Sequence, residues 1–153
     1  MDAKIDGPHF EKAAVCIPIL RSLPEWFGIE SAIIHYSTEI DILPTFLAIE
    51  AGRVIGFLSL KQHTLSSAEV YVMAILQEAH RKGLGRTLIS FAQDWLKSRG
   101  IQYLQVKTLG PSDPDESYAK TRLFYEAVGF RPLEEFKQIW DENNPCLIMI
   151  KKL

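Results

Sequence analysis

The sequence has little cysteine and no long apolar run, and both absences narrow the classes of protein to which it can belong. Its two cysteines, Cys16 and Cys146, are too few and too far apart for a disulfide framework or a metal site. They indicate free thiols in a reducing compartment. No apolar segment approaches the roughly 20 residues of a membrane span, and the first residues carry no apolar signal region. We therefore expect a cytoplasmic protein with no metal and no membrane segment.

An excess of positive charge is also missing. The chain carries 17 basic and 19 acidic residues, which give a net charge of -2 at pH 7. Binding along a nucleic-acid backbone normally needs a basic face, so we do not expect nucleic acid as a partner. With 153 residues, of which 47% are hydrophobic and 24% charged, the composition is that of a globular protein, and we expect one domain over residues 1–153.

Apolar periodicity and turn residues predict alternating helices and strands. The predicted helices cover residues 10–23, 29–40, 84–99 and 119–128, and the predicted strands cover residues 45–50, 54–62, 69–76, 103–108, 131–140 and 146–151. In the third helix, apolar residues recur every three or four positions and place Phe91 on the same face as Leu88 and Leu96. The pattern predicts an α/β fold with a mixed sheet and helices on both faces.

The most informative stretch is residues 80–86, HRKGLGR, which join an apolar strand to an amphipathic helix. A helix start has unpaired N–H groups and a partial positive charge, and two glycines let a phosphate approach the backbone. The spacing is not that of a P-loop, and Leu88 replaces the third glycine of a dinucleotide fingerprint. The stretch therefore predicts an anion site formed by Arg81, Lys82, Gly83, Leu84, Gly85 and Arg86.

Three segments together resemble the GNAT superfamily of acetyl-CoA-dependent N-acetyltransferases. Residues 80–85 are similar to its [RQ]xxGx[GA] element, with His80 in place of the usual arginine or glutamine. Residues 121–130, TRLFYEAVGF, resemble the FYxxxGF element, and residues 68–75, AEVYVMAI, look like the family's fourth strand. The resemblance covers roughly the last two thirds of the chain. It implies a mostly antiparallel sheet of six or seven strands.

The resemblance also implies a reaction, the direct transfer of an acetyl group from acetyl-CoA to a primary amine of a small molecule or peptide. It implies pantetheine contacts from the backbone of a bulged fourth strand, at Met73, Ala74 and Ile75. Arg122 is a candidate for the adenosine phosphates, the alternative being a solvated helix arginine. Tyr118 stands where many relatives have asparagine.

Two residues are candidates for proton transfer. The family element implies that Tyr125 is the donor to the departing thiolate, because a phenol is neutral at pH 7 and can donate a hydrogen bond. Glu69 is the candidate base, since it is the only charge at the head of an apolar strand, and a solvated strand-end glutamate is the alternative. Strand alternation predicts Glu69, Tyr71, Met73 and Ile75 on one side of the sheet.

The acceptor site is the least defined. In the superfamily the first two helices and their connection shape this pocket, which makes Glu25, Trp26, Phe27 and Tyr36 candidates by position. Buried packing is the alternative for Trp26 and Phe27. The isolated histidines, His63 among them, are expected to be structural or on the surface.

Two other functional classes stay open at this point. One is a non-catalytic acyl-CoA-binding or regulatory module of the same fold, and the other is a binding protein for another nucleotide or a protein partner. Product formation separates the first class from an enzyme, and the choice of ligand separates the second. A homodimer through a sheet edge or the last strands is possible.

Overall fold

The computed structural model describes residues 3–153, and its elements follow the predicted order with one addition at the start. The strands are β1 (Lys4–His9), β2 (Thr45–Glu50), β3 (Arg53–Gln62), β4 (Ser67–Ile75), β5 (Tyr103–Leu109), β6 (Arg131–Asp141) and β7 (Asn144–Lys152). The helices are α1 (Ala13–Arg21), α2 (Glu30–Ile42), α3 (Leu84–Ser98) and α4 (Glu116–Ala127). Residues 1 and 2 lie outside the described residues. The predictions of one domain over residues 1–153 and of a start without an apolar signal region include these two residues.

The seven strands form one sheet in the order β1-β2-β3-β4-β5-β7-β6. Of the neighbouring pairs, β4 and β5 run parallel and the other five run antiparallel. A parallel pair needs a crossover, and α3 supplies it between β4 and β5. The predicted mixed sheet, mostly antiparallel and with six or seven strands, is confirmed, and the described residues form seven.

Each face of the sheet carries its own apolar core. On one face α1 and α2 bury Cys16, Leu20 and Ile33 against Phe57. On the other face the apolar stripe of α3, with Leu88 and Leu96, packs on β-strand residues together with Tyr125 of α4. Helices on both faces are therefore confirmed, and the functional residues lie between these two layers.

Three local predictions were wrong. The strand at Lys4–His9 was not predicted, because this segment contains Gly7 and Pro8 and does not alternate between apolar and polar residues. It forms the edge strand β1, and an edge strand tolerates proline. The first helix begins at Ala13, whose N–H donates to Asp41 Oδ1 of α2 at 3.0 Å, rather than at residue 10. Phe91 is 48% exposed, because the buried face of α3 runs through Leu88, Ile89, Ala92 and Leu96.

Candidate functional site

A cleft opens where β4 and β5 separate. The two strands pair in register from Ser67 and Tyr103 to Val70 and Val106, and both continue beyond this point without pairing to each other. The diverging strands leave unpaired backbone groups on their facing edges, which an extended ligand with amide groups can satisfy. The cleft at this split has a volume of about 850 Å³.

Most of the predicted site residues line this cleft. They are Trp26, Phe27, Tyr36, Met73, Ala74, Ile75, Arg81, Gly83, Leu84, Gly85, Arg86 and Tyr125. Four predicted residues are not among those that line it, namely Glu25, Glu69, Lys82 and Arg122. Sequence reasoning did not single out Lys107, Thr108 and Trp140, which also line it.

A bulge in β4 changes which side chains share a face. Ser59 of β3 pairs with Val72 and the next residue, Leu60, pairs with Val70, so Tyr71 is the extra residue. Met73 and Ile75 therefore pack with the α3 and α4 core, whereas Tyr71 packs with the α1 and α2 core. The prediction that Glu69, Tyr71, Met73 and Ile75 lie on one side was wrong, because the bulge reverses the alternation.

The glycine turn before α3 has the geometry of an anion cradle. Gly83 precedes α3 with φ of 78°, in the left-handed region, and a Cβ there would meet nothing within 4 Å. Gly85 is buried, and a Cβ there would lie 2.8 Å from Cζ of Phe124. The first glycine thus forms the turn, and the second lets α3 approach α4.

Basic side chains surround the turn, and His80 fixes it. Arg81, Lys82 and Arg86 are exposed, and the two arginines line the cleft. His80 Nε2 donates a hydrogen bond to the carbonyl oxygen of Ile75 at 2.7 Å. The histidine that departs from the family pattern therefore ties the turn to the end of β4.

Tyr125 lies on the wall of the cleft within the α3 and α4 core. It is 7% exposed, and its ring packs against Phe124 and Phe130, with ring centroids 5.4 and 5.6 Å away. Burial raises the pKa of its phenol. The hydroxyl is therefore protonated throughout the neutral range and available as a donor.

Glu69 is buried rather than solvated. It is 3% exposed, its Oε1 lies 2.7 Å from His63 Nε2, and the same oxygen lies 3.6 Å from Lys107 Nζ. The alternative of a solvated strand-end glutamate is thus wrong, because the carboxylate is buried in contact with His63 and Lys107. His63, which is isolated in the sequence and was expected to be structural or on the surface, contacts Glu69 directly.

Glu69 lies behind the wall of the cleft on its α1 and α2 side. Lys107 lines the cleft and bridges to the carboxylate. Burial raises the pKa of Tyr36, and the charge of Glu69 adds to this effect. Burial also raises the pKa of Tyr71 to about 12, with smaller contributions from Glu39, Tyr36 and Glu69. The phenols of Tyr36 and Tyr71, which line the cleft, are therefore neutral near pH 7 and close enough to Glu69 to be influenced by its charge.

Three hydrogen bonds join the α1–α2 connection to α4 across the cleft. Trp26 Nε1 donates to Thr121 Oγ1 at 3.0 Å and to the carbonyl oxygen of Ser117 at 3.3 Å. In return, the hydroxyl of Tyr118 donates to the carbonyl oxygen of Trp26 at 2.6 Å. We call this set the Trp26–Tyr118 clamp. It gives the tyrosine that replaces the family's asparagine a defined structural contact.

Aromatic side chains line the cleft beside the clamp. The rings of Phe27 and Tyr36 meet edge to face at 6.0 Å between centroids, and Tyr36 and Tyr71 do so at 5.6 Å. Trp140 of β6 lines the same cleft and is 45% exposed. Glu25 is exposed on the connection outside the lining residues, so its role at an acceptor site stays a prediction.

Arg122 occupies a structural position between α4 and β5. Its Nη1 donates to the carbonyl oxygen of Leu109 at 2.6 Å and ties the end of β5 to α4. Its assignment to the adenosine phosphates stays a prediction, as does that of Lys82.

Residues 3–153 contain no group of three or more His, Cys, Asp or Glu side chains arranged to hold a metal ion. No helix within the same range is both long and apolar enough to cross a membrane.

The fold and the cleft define a class before any comparison. A glycine turn with exposed cations and an open split between parallel strands suit a long ligand with phosphate at one end and amide groups along its length, such as the donor of the N-acetyltransferases that the sequence resembles. The family model described as an acetyltransferase (GNAT) domain matches residues 43–132, which is more than half of the chain. The chain belongs to the GNAT acetyltransferase family.

Relatives and solved structures agree with this membership. An uncharacterized N-acetyltransferase of Chlorobaculum tepidum is 30% identical over 104 residues, which are 66% of this chain and 60% of that protein. The chain thus spans less than two thirds of the length of this relative.

Two solved structures share the fold over nearly the whole chain. A putative GNAT acetyltransferase from Desulfovibrio desulfuricans superposes with a TM-score of 0.85 at 18% identity, over 98% of each chain. The PaiA N-acetyltransferase from Thermoplasma acidophilum, in complex with coenzyme A, superposes with a TM-score of 0.78 at 21% identity, over 100% of each chain. The predicted GNAT-like fold is confirmed.

Proposed function

We propose that the chain transfers an acetyl group from acetyl-CoA directly to a primary amine of a small molecule or peptide. The observation that carries this proposal is the continuity of one cleft. It runs from the glycine turn, along the split between β4 and β5, past Tyr125 to the aromatic residues beside the clamp. A phosphate-bearing donor and an amine acceptor can thus meet beside one phenol.

The residues of the cleft suit the donor in three places. Arg81 and Arg86 can pair with its phosphates beside the backbone N–H groups that begin α3. Beyond Val70 the edge of β4 no longer pairs with β5, so backbone groups at Met73, Ala74 and Ile75 that neither β3 nor His80 engages can bind the pantetheine amides as an added strand would. When bound, acetyl-CoA supplies the acetyl group as an activated thioester.

Tyr125 and Glu69 divide the proton transfers. The amine must be uncharged to attack the thioester carbon, and a lysine-type amine has a pKa near 10.4, so a base must take its proton. Glu69 is the proposed base, reached through water or through a phenol of the wall, because it lies behind Tyr36 and Lys107. As the new C–N bond forms and the C–S bond breaks, Tyr125 donates a hydrogen bond to the departing sulfur.

The lining of the acceptor end favours an amine attached to a flat or apolar group. Trp26, Phe27, Tyr36 and Tyr71 offer aromatic edges and faces, which attract both apolar groups and cations. We propose that the acceptor is such a small molecule or a peptide end.

Product formation tests the proposal. The protein is incubated with acetyl-CoA and a panel of primary amines, and the release of free CoA thiol is followed together with the mass of each amine. We expect at least one amine to gain one acetyl group in step with thiol release. Binding of acetyl-CoA without any acetylated amine would favour the non-catalytic acyl-CoA-binding module instead.

A further inference from the structure

Thr108 of β5 carries a buried hydroxyl without a partner. The residue is 3% exposed, and its Oγ1 makes no hydrogen bond within residues 3–153. Buried polar atoms are almost always hydrogen-bonded, since leaving one unpaired in the protein interior is destabilising. A ligand that binds in the cleft could supply the hydrogen-bond partner that the protein does not provide.

The position of Thr108 relative to the cleft supports that explanation. The ladder between β4 and β5 ends at Val70 and Val106, and Thr108 lies two residues beyond this point on the wall of the cleft. Strand alternation places it on the same face as Val106, and its partner in β7 is Leu147. Both Val106 and Leu147 belong to the core that contains Tyr125. Thr108 thus lies beside the split between the strands, with its side chain on the face of the sheet that bears Tyr125.

The backbone around Thr108 is held in place on two sides. Thr108 is in register with Leu147, and the next carbonyl oxygen, of Leu109, accepts the 2.6 Å hydrogen bond from Arg122. Arg122 precedes Tyr125 by one helical turn, so the end of β5 and the phenol are fixed relative to each other. Rotation about χ1 moves Oγ1 between staggered positions while the strand stays fixed, so the hydroxyl can turn toward a ligand in the cleft that Thr108 lines.

A second buried threonine shows how the chain treats a structural hydroxyl. Thr45 of β2 is 0% exposed, and its Oγ1 lies 2.7 Å from Ser59 Oγ and donates to the carbonyl oxygen of Leu43 at 3.1 Å. Both threonines are β-branched residues in strands, so they have equal backbone preferences. They differ in that the hydroxyl of Thr45 is satisfied by protein and that of Thr108 is not.

We propose that the Thr108 hydroxyl binds the pantetheine-to-thioester arm of acetyl-CoA in the split between β4 and β5. This rests on the proposed function. The arm carries two amide groups and a thioester carbonyl, so it offers both donors and acceptors, and a hydroxyl can serve either. Thr108 would then be a cofactor-binding residue on β5, opposite the backbone contacts of β4.

The test measures affinity for CoA and stability of the free protein in the same variants. Thr108→Val removes the hydroxyl and keeps the shape, Thr108→Ser keeps the hydroxyl, and Thr45→Val is the matched control. We expect Thr108→Val to bind CoA about three- to tenfold more weakly, because one hydrogen bond to the ligand is lost. Its Tm should be unchanged or higher, because the hydroxyl has no partner within the protein. Thr108→Ser should bind CoA nearly as the unmodified protein does. Thr45→Val should lower the Tm and leave CoA affinity unchanged, because it leaves Ser59 Oγ without this partner.

Two outcomes would overturn this proposal alone. One is a Thr108→Val variant that binds CoA as tightly as the unmodified protein, and the other is a fall in its Tm similar to that of Thr45→Val, which would assign the hydroxyl a structural role. Failure of the unmodified protein to bind CoA overturns the proposed function, and this proposal with it.

Discussion

The two ends of the cleft are constructed differently. The donor end is formed by a short run, residues 80–86, in which exposed Arg81 and Gly83 with its positive φ precede α3 and exposed Arg86 lies in the first turn of that helix. The acceptor end brings together side chains from the α1–α2 connection, α2, β4, α4 and β6, and the Trp26–Tyr118 clamp joins segments more than 90 residues apart. A local device therefore holds the donor, whereas tertiary contacts shape the acceptor pocket.

Because the two ends are built differently, different residues can vary at each end without loss of the reaction. Backbone N–H groups and glycines at the donor end depend on few side chains, so the same donor site fits many sequences. The wall residues of the acceptor end come from several separate elements, so those on different elements can change independently. We therefore expect variants at the donor end to change CoA binding and variants at the acceptor end to change amine binding.

The largest effect is expected at the junction of the two ends. Tyr125→Phe should lower kcat about 100-fold, because it removes the donor to the departing sulfur, while CoA affinity stays close to that of the unmodified protein. Tyr103→Phe is the matched control, since Tyr103 is 45% exposed at the far end of β5. Steady-state rates and CoA titrations measure both quantities. Unchanged turnover in Tyr125→Phe would remove this residue from the chemistry.

The second-largest effect is expected at Glu69, on the acceptor side of the same junction. Glu69→Gln should lower kcat about tenfold or more and change the pH–rate profile, since it removes the proposed base without changing the size of the side chain. Glu39→Gln is the control. Glu39 is also a partly covered carboxylate, and its Oε1 lies 3.4 Å from Lys61 Nζ. A pH–rate profile that is the same in Glu69→Gln and the unmodified protein would contradict the assignment.

The donor end should respond to one methyl group. Gly83 and Gly100 lie at opposite ends of α3 with φ of 78° and 84°, and a Cβ at either meets nothing within 4 Å. Alanine at either position should cost about 1 to 2 kcal/mol of backbone strain. Only Gly83→Ala should also weaken CoA binding, by about tenfold, because its methyl group enters the cradle. Equal CoA affinity in the two variants would show that the phosphates bind elsewhere.

The clamp offers a smaller effect confined to the acceptor end. Tyr118→Phe removes the hydroxyl that donates to the carbonyl oxygen of Trp26. We expect the KM for the amine to rise several-fold with little change in CoA affinity, because the loosened connection carries Trp26 and Phe27. Steady-state kinetics with varied amine and varied acetyl-CoA separate the two parameters. A change confined to the acetyl-CoA side would place Tyr118 at the donor end instead.

The smallest effect is a change in stability at alkaline pH. Burial raises the pKa of Tyr36, Tyr71, Tyr118 and Tyr125 above their ordinary value of 10.0. The unfolded chain then releases these protons at a lower pH than the folded chain does, so stability is fully present below pH 10 and falls as the pH rises above it. Tm values between pH 8 and 11 should show this fall, and Tyr125→Phe should make it shallower. An identical slope in the variant would contradict the burial of its phenol.

The donor end could be predicted from sequence because its residues are neighbours in the chain. Gly83, Gly85 and the helix that begins at Leu84 are visible as one pattern, and the structure places them as that pattern indicates. The order of the elements from residue 45 onward was likewise predictable from periodicity and turns.

The rest depends on contacts that periodicity does not encode. The bulge at Tyr71 reverses alternation within β4, and a single residue of register carries no sequence signal of its own. The contact between His63 and Glu69 arises because β3 and β4 form a hairpin, which brings side chains six residues apart together. The clamp and the buried hydroxyl of Thr108 require the tertiary fold, and no local motif marks either.

All the roles proposed for the cleft require that it binds acetyl-CoA through the turn before α3. A calorimetric titration of the protein with acetyl-CoA, beside CoA, ATP and NAD, tests it most directly. We predict binding of acetyl-CoA and CoA in the micromolar range, weakened when Arg81 and Arg86 are both replaced by glutamine, and no comparable response to ATP or NAD. Absence of binding to acetyl-CoA and CoA, or tighter binding of ATP or NAD, would contradict the account.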